Sequence, residues 1–263
     1  MKPKLLITLG CSYTEGMGCY DFTNFPKNSN IFSNNVTKSQ VDYQFTQFHE
    51  HGWPNKLGKL IGYDRVLNLG YGGASPSFNM KVFMQKYRNF DFSNWDVFLF
   101  WWIPQSHRFS FYKSKKVYNI LPNQHSNDND IENIIGKNYL NLIEYYPEDC
   151  ILETNFYLGL MEDYCKLKGF NFLWFSEEWE YLIKNNLNSW VGLGGDELLR
   201  LPSAYENKSC HHPNELGYTI YAERFFEIIK TKHSNLITNP PNDTIEWEWN
   251  GKPTKNTIFN TLP

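Results

Sequence analysis

The sequence lacks the markers of several common protein classes. Its five cysteines form no CxxC pair, so neither a zinc site nor a disulfide framework is indicated, and a reducing compartment fits best. No apolar run approaches the roughly 20 residues of a membrane span, and the apolar stretch at the N-terminus, about six residues long, is too short for a signal peptide. We therefore expect no membrane association and a cytoplasmic or virion-associated protein.

An excess of positive charge is also absent. The formal net charge is −3, which gives no reason to expect a nucleic-acid partner. The pair His211-His212 does not predict a metal site, because adjacent side chains rarely chelate one ion and no carboxylate pattern completes a ligand set. We expect neither a metal ion nor another cofactor.

Apolar runs alternate with helical patterns along the chain. Strands are predicted over 4–9, 65–69, 97–103 and 170–175. Helices are predicted over 54–61, 76–87, 152–168 and 213–230. This alternation predicts an α/β fold with a mostly parallel sheet that helices cover on both faces.

The remaining segments suggest insertions into a single domain over 1–232. We expect a loop or insertion near 20–50, a loop with a short helix near 104–149, and a variable segment near 176–209 with a helix at 178–184. The last helix should bury an apolar stripe that contains Leu216, Ile220, Phe225, Ile228 and Ile229. Residues 233–263 are expected to form a C-terminal extension on the domain surface.

A small hydroxyl residue follows the end of the first strand. The apolar run stops at Gly10, and Ser12 is two positions further along the chain. A serine in this position is also typical of a turn or a helix cap, but the strand end favours a nucleophile. A serine hydroxyl is weakly nucleophilic at neutral pH and needs a base within hydrogen-bond reach.

A histidine near the other end of the chain is the candidate base. His212 precedes Pro213 and the last helix, and an imidazole can accept the serine proton and return it to a leaving group. His211 is a second candidate. Because ligands of parallel sheets bind beyond the carboxyl ends of the strands, we expect Ser12 and His212 to meet at one edge.

A glycine turn follows the second strand. Asn68-x-Gly70-x-x-Gly73 lacks the spacing of GxGxxG and GxxxxGK[ST], so no nucleotide phosphate site is indicated. The turn is either an ordinary strand-to-helix connection or a source of backbone N–H donors for an oxyanion.

These motifs resemble the SGNH (GDSL-type) hydrolase family. Gly10-Cys11-Ser12 matches the block that holds the nucleophile, Asn68–Ser75 matches the second block with Gly73 as the oxyanion glycine, and His212-Pro213 matches the last block. The resemblance implies a three-layer α/β/α sandwich with a flavodoxin-like sheet. It also implies hydrolysis of acetyl or other acyl esters, with Ser12 contributing to the oxyanion hole.

The chain departs from the family in three places. Cys11 stands where the family has aspartate before the nucleophile. The Gly-x-Asn-Asp block is absent, and Gln105 is the residue whose amide could replace its asparagine as an oxyanion donor. Ser209 stands where the triad aspartate is expected, so Glu206, six residues before His212, is the candidate third catalytic residue, with Asp196 as an alternative.

The predicted function is a serine esterase or deacylase. Its expected substrate is an acylated small molecule or polysaccharide, from which it removes acetyl or other short acyl groups. Aromatic residues within 20–48, 101–112 and 174–190 are candidates for a sugar platform. Two alternatives stay open: a catalytically impaired SGNH-fold binding or structural module, favoured by the missing Asp and Asn, and an acyltransferase to a sugar hydroxyl.

Overall fold

A parallel β-sheet forms the centre of the protein. The computed structural model describes residues 2–19, 37–113, 116–120, 147–177, 182, 212–238 and 246–249. In these residues the strands are β1 (Lys4–Gly10), β2 (Arg65–Gly70), β3 (Asp96–Trp102), β4 (Phe109–Lys113), β5 (Lys116–Ile120), β6 (Asn171–Phe175) and β7 (Glu246–Trp249). The main sheet has the order β6-β3-β1-β2-β7 with every neighbouring pair parallel, while β4 and β5 form a separate antiparallel hairpin.

The helices lie between the strands in sequence. They are α1 (Ser12–Glu15), α2 (Lys38–His51), α3 (Trp53–Ile61), α4 (Pro76–Tyr87), α5 (Pro147–Lys168) and α6 (Glu215–Lys232), followed by a short 3₁₀ helix (Ser234–Leu236). None of the described helices is long and apolar enough to span a membrane.

Helices cover both faces of the sheet, as the alternation of elements predicts. Alternate strand residues point to opposite faces, and each face has its own apolar cluster. Leu6 and Phe100 belong to the cluster with Trp53 of α3 and Phe225 of α6. The other cluster joins Ile7 and Leu99 to α4 and α5 through Phe83, Leu158 and Met161. The protein is therefore a mixed α/β structure compatible with an α/β/α sandwich.

The direction in which successive strands are added to the sheet reverses beside β1. From β1 the chain passes to β2 on one side and then crosses back to β3 on the other side. Connections of one hand must switch faces when the direction switches, and α4 indeed lies on the face opposite to α3. The crevice between the carboxyl ends of β1 and β3 is thus the switch point where such sheets bind ligands.

Local signals account for the elements that were predicted correctly. Ser75 caps α4 by accepting a hydrogen bond from the Phe78 N–H at 3.1 Å, and Pro76 occupies the first turn, where its missing N–H costs nothing. Helix α3 ends at Gly62, whose φ of 73° is left-handed, a conformation that glycine adopts without strain.

Four predictions about the remaining segments are corrected by the structure. Residues 38–51, at the end of the segment expected as a loop or insertion, form the helix α2, which begins with a capping box between Thr37 and Gln40. Residues 109–120, within the segment expected to hold a loop and a short helix, contain the β4–β5 hairpin. Residues 246–249, expected on the surface, add β7 to the sheet.

Leu216, expected in the buried stripe of α6, is 53% exposed, and Tyr218 and Tyr221 are buried instead. The helix predicted near 178–184 falls almost entirely outside the described residues.

Candidate active site

Ser12 lies directly after β1, at the start of the short helix α1. Ser12 is only 6% exposed. The carbonyl of Cys11 accepts hydrogen bonds from the Thr14 and Glu15 N–H groups at 3.0 and 2.9 Å. The Ser12 N–H is in the first turn of this helix, where N–H groups have no acceptor inside the helix. The strand therefore delivers a buried hydroxyl and a backbone donor at the same point.

The structure brings His212 to Ser12, although 200 positions separate them in the chain. The His212 Nε2 and the Ser12 Oγ are 2.7 Å apart. A hydroxyl that donates to an unprotonated imidazole nitrogen at this distance has the arrangement of a nucleophile and its general base. The predicted meeting of these two residues at one edge of the sheet is confirmed.

Contacts from two segments hold the histidine in place. Asn214 caps α6 by accepting a hydrogen bond from the Gly217 N–H at 2.9 Å, which fixes the start of the helix behind His212. The Tyr218 hydroxyl donates to the Met17 carbonyl at 2.7 Å. Gly18 has a φ of 116°, and a Cβ there would clash with the Pro213 carbonyl. Because only glycine allows this close approach without strain, Gly18 sets the position of the His212-Pro213 backbone.

Asn79 of α4 holds the end of β1 from the face of the sheet opposite to α6. Its Nδ2 donates to the Gly10 carbonyl at 3.0 Å, and its Oδ1 accepts a hydrogen bond from the Trp101 Nε1 at 3.0 Å. All three residues are in the interior, where an unpaired polar group is costly. This network fixes the strand end that carries Ser12, and no pattern in the sequence predicted it.

Asn68 of β2 holds the other end of α1. Its Nδ2 contacts the Thr14 carbonyl at 2.8 Å and the His49 Nδ1 at 2.9 Å, while its Oδ1 accepts a hydrogen bond from the Gly70 N–H at 2.9 Å. Since the amide group donates, the His49 Nδ1 must accept, which requires a neutral ring. Burial lowers the pKa of His49 well below its usual value, in agreement with this assignment.

The glycine turn after β2 packs against the nucleophile segment. The Tyr71 N–H donates to the Gly10 carbonyl at 3.2 Å, and a Cβ on Gly70 would clash with the backbone of Glu15. Gly73 has a left-handed φ of 75°. The turn thus places a backbone donor on the same edge as Ser12, where the sequence placed the oxyanion glycine.

The buried side chain of Glu15 contacts the glycine turn after β2. It is 4% exposed, and its carboxyl group accepts a hydrogen bond from the Gly72 N–H. Burial, which disfavours the charged form, raises the pKa of Glu15 to about 8 despite that hydrogen bond. The residue is therefore predominantly a neutral acid at pH 7, and it adds little negative charge to the glycine turn that it contacts.

Gln105 lies in the loop after β3. It lines a pocket that Cys11 and Tyr13, the neighbours of Ser12, also line, together with Trp102 and Arg108. The Gln105 Oε1 accepts hydrogen bonds from the Arg108 Nε and Nη2, both at 3.2 Å. The expected side-chain donor is thus close to the nucleophile segment, and Arg108 is a site residue that the sequence did not indicate.

Part of the predicted sugar platform is not available to a ligand. Trp101, Trp102 and Trp174 are at most 2% exposed, and Phe48 is fully buried. Their apolar rings instead fill the two cores beside the sheet. Tyr13 is only partly buried, with its ring centre 5.4 Å from that of Trp102 and 5.3 Å from that of His212. The Tyr13 ring therefore packs beside the imidazole of His212.

The candidate third catalytic residues lie outside the described residues. This applies to Glu206, to the alternative Asp196, and to Ser209 and His211. Within the described part of the chain, no three His, Cys, Asp or Glu side chains come close enough to hold a metal ion. Cys11, Cys19, Cys150 and Cys165 form no disulfide within the described part of the chain.

Comparisons with known proteins add no assignment. No protein-family model, no curated protein and no solved structure matches the chain.

Proposed function

We propose that this protein is a serine ester hydrolase of the SGNH type, with a flavodoxin-like fold. The observation that carries the proposal is the 2.7 Å contact between the Ser12 Oγ and the His212 Nε2. The contact lies at the switch point of a parallel sheet, between β1 and β3. The strand order β2-β1-β3-β6, with the nucleophile after β1, agrees with the resemblance of the motifs.

In this mechanism Ser12 is the nucleophile and His212 is the base. The His212 Nε2 accepts the hydroxyl proton as the Oγ attacks the ester carbonyl carbon. The carbonyl oxygen becomes an oxyanion, which the N–H groups of Ser12 and Gly73 and the amide of Gln105 stabilise. His212 then returns the proton to the alkoxide as the C–O bond breaks, leaving an acyl-serine.

Water completes the reaction. His212 accepts a proton from the attacking water, and collapse of the second oxyanion releases the carboxylic acid and restores the serine. We propose an acetyl or other short acyl group on a carbohydrate as the substrate, with Glu206 as the group that orients His212. A buried neutral Glu15 near the oxyanion site is compatible with this chemistry, since a charged carboxylate there would oppose the developing negative charge.

Hydrolysis of p-nitrophenyl acetate tests the proposal. We expect Ser12→Ala to lower kcat by at least about 10³-fold, because it removes the atom that forms the covalent intermediate. Ser93→Ala is the matched control, since Ser93 is exposed and precedes β3 at the opposite edge of the sheet. Equal activity in wild type, Ser12→Ala and Ser93→Ala would contradict the proposal. Product analysis with a sugar acceptor present separates hydrolysis from transfer.

A further inference from the structure

The loop after β3 forms a tight turn that links Gln105 to Arg108. The Arg108 N–H donates to the Gln105 carbonyl at 3.1 Å, and just before the turn the Ile103 N–H donates to the Phe175 carbonyl at 2.8 Å. The start of the turn is therefore fixed to β6, and its two ends are fixed to each other. The side chains of Gln105 and Arg108 meet across this rigid backbone.

The guanidinium determines which way the Gln105 amide faces. Its Nε and Nη2 both point at the Gln105 Oε1 at 3.2 Å. Arginine has only hydrogen-bond donors, so the facing atom must be the amide oxygen and not the –NH₂ group. The two atoms of a planar amide lie on different sides, so the –NH₂ group of Gln105 is turned away from Arg108.

We propose that Arg108 is a positioning residue, which holds Gln105 so that its –NH₂ group is the side-chain donor of the oxyanion hole. This inference rests on the proposed function. Gln105 and Arg108 line the same pocket as Cys11 and Tyr13, which flank Ser12. A free glutamine side chain loses entropy when it is ordered, and the double contact with Arg108 orders it before the substrate arrives.

The contents of the pocket favour this role over the binding of an anionic substrate group. Glu177, an acidic residue, lines the same pocket as Arg108. An acidic residue in the lining disfavours an anionic ligand, whereas an amide oxygen is a neutral partner for the guanidinium. The two roles differ in one measurable respect, because a neutral ester needs an oriented Gln105 but no anion site.

A double-mutant cycle on the neutral substrate p-nitrophenyl acetate tests the inference. We expect Gln105→Ala to lower kcat by about 10²-fold, the usual effect of losing one oxyanion donor. Arg108→Ala should lower kcat by about tenfold with an unchanged KM, and it should have no further effect in the Gln105→Ala background. Arg88→Ala, an exposed arginine at the end of α4, is the matched control and should leave kcat unchanged.

Gln105→Glu separates positioning from a structural role. Glutamate keeps the size of glutamine and the contact with Arg108 but has no –NH₂ group, so this variant should melt like wild type and still lose about 10²-fold in kcat. Equal losses from Arg108→Ala in the wild-type and Gln105→Ala backgrounds would overturn the inference, as would full activity of Gln105→Glu. The proposed function, and the inference with it, would be overturned if the wild-type protein did not hydrolyse esters or if Ser12→Ala hydrolysed them equally fast.

Discussion

The two halves of the candidate dyad are held in different ways. Ser12 stands on the end of β1, and the groups that fix it are the buried amides Asn79 and Asn68, which come from α4 and β2. His212 instead is fixed by the start of α6 and by Gly18 in the loop after α1. The serine is thus held by buried side-chain amides, whereas the histidine is held by a helix start and by the backbone contact between Gly18 and Pro213.

This difference predicts different consequences of substitution. Changes around Ser12 should lower the free energy of unfolding, because they leave buried polar groups unpaired. Changes around His212 should lower kcat more than stability, because they move its backbone without leaving a buried polar group unpaired. Three substitutions test this contrast.

Asn79→Ala should have the largest effect on stability. It leaves the Trp101 indole N–H without an acceptor, whereas the Gly10 carbonyl loses one donor and keeps the Tyr71 N–H. An unsatisfied buried group costs about 1–3 kcal/mol, so we expect the free energy of unfolding in urea to fall by about 2 kcal/mol. The exposed Asn94→Ala is the control, and an equal, small change in both variants would contradict a role of Asn79 in fixing the strand end.

Gly18→Ala should affect catalysis more than stability. The positive φ disfavours alanine by about 1 kcal/mol, and the new Cβ would push the Pro213 carbonyl, and His212 with it, away from Ser12. We expect kcat for p-nitrophenyl acetate to fall by at least about tenfold, since small misplacements of reacting groups are costly. Gly159→Ala is the control, because a Cβ at Gly159 contacts nothing within 4 Å; equal kcat values for both variants would refute the contrast.

At pH 5 Glu15→Gln should have the smallest effect, because both side chains are neutral there, and the effect should grow with pH. The folded protein keeps a proton on Glu15 up to a pKa of about 8, whereas the unfolded chain releases it near 4.5. The stability that this group contributes is complete below pH 4.5 and declines as the pH rises through 8. Glutamine cannot ionise, so the stability difference between wild type and Glu15→Gln should shift against wild type from pH 5 to pH 8.

Urea unfolding at several pH values measures that shift. Glu50→Gln, at an exposed position of α2, provides the control and should follow the wild-type curve. A difference between wild type and Glu15→Gln that stays constant from pH 5 to pH 8 would mean that Glu15 is ionised in the folded protein.

The sequence predicted the parts of the structure that local patterns determine. Buried strands such as β3 are continuous apolar runs, and caps such as Ser75 act within one turn, so both are visible in a short window. The pairing of Ser12 with His212 was predicted from the end of the first strand, from the loop before the last helix and from the resemblance of the motifs, since ligands of parallel sheets bind at one edge. The supporting residues did not follow, because the bonds of Asn79 to Gly10 and Trp101 exist only after distant segments pack together.

Elements whose stability comes from tertiary pairing were also missed. Strand β7 is only four residues long and pairs with β2, more than 170 positions earlier, so nothing around it in the sequence distinguishes it from a surface extension. Leu216 shows the opposite error. A helical spacing of apolar residues predicted its burial, but the two tyrosines Tyr218 and Tyr221 face the sheet instead, which a pattern of hydrophobicity alone does not reveal.

Covalent labelling of Ser12 by a fluorophosphonate probe tests the central claim most directly. The probe reacts with a serine hydroxyl that a base activates, and mass spectrometry locates the modified residue. We predict labelling at Ser12 in wild type and in His233→Gln, whose substituted histidine lies at the far end of α6, and strongly reduced labelling in folded His212→Gln. Equal labelling of all three proteins, or none in wild type, would contradict the account.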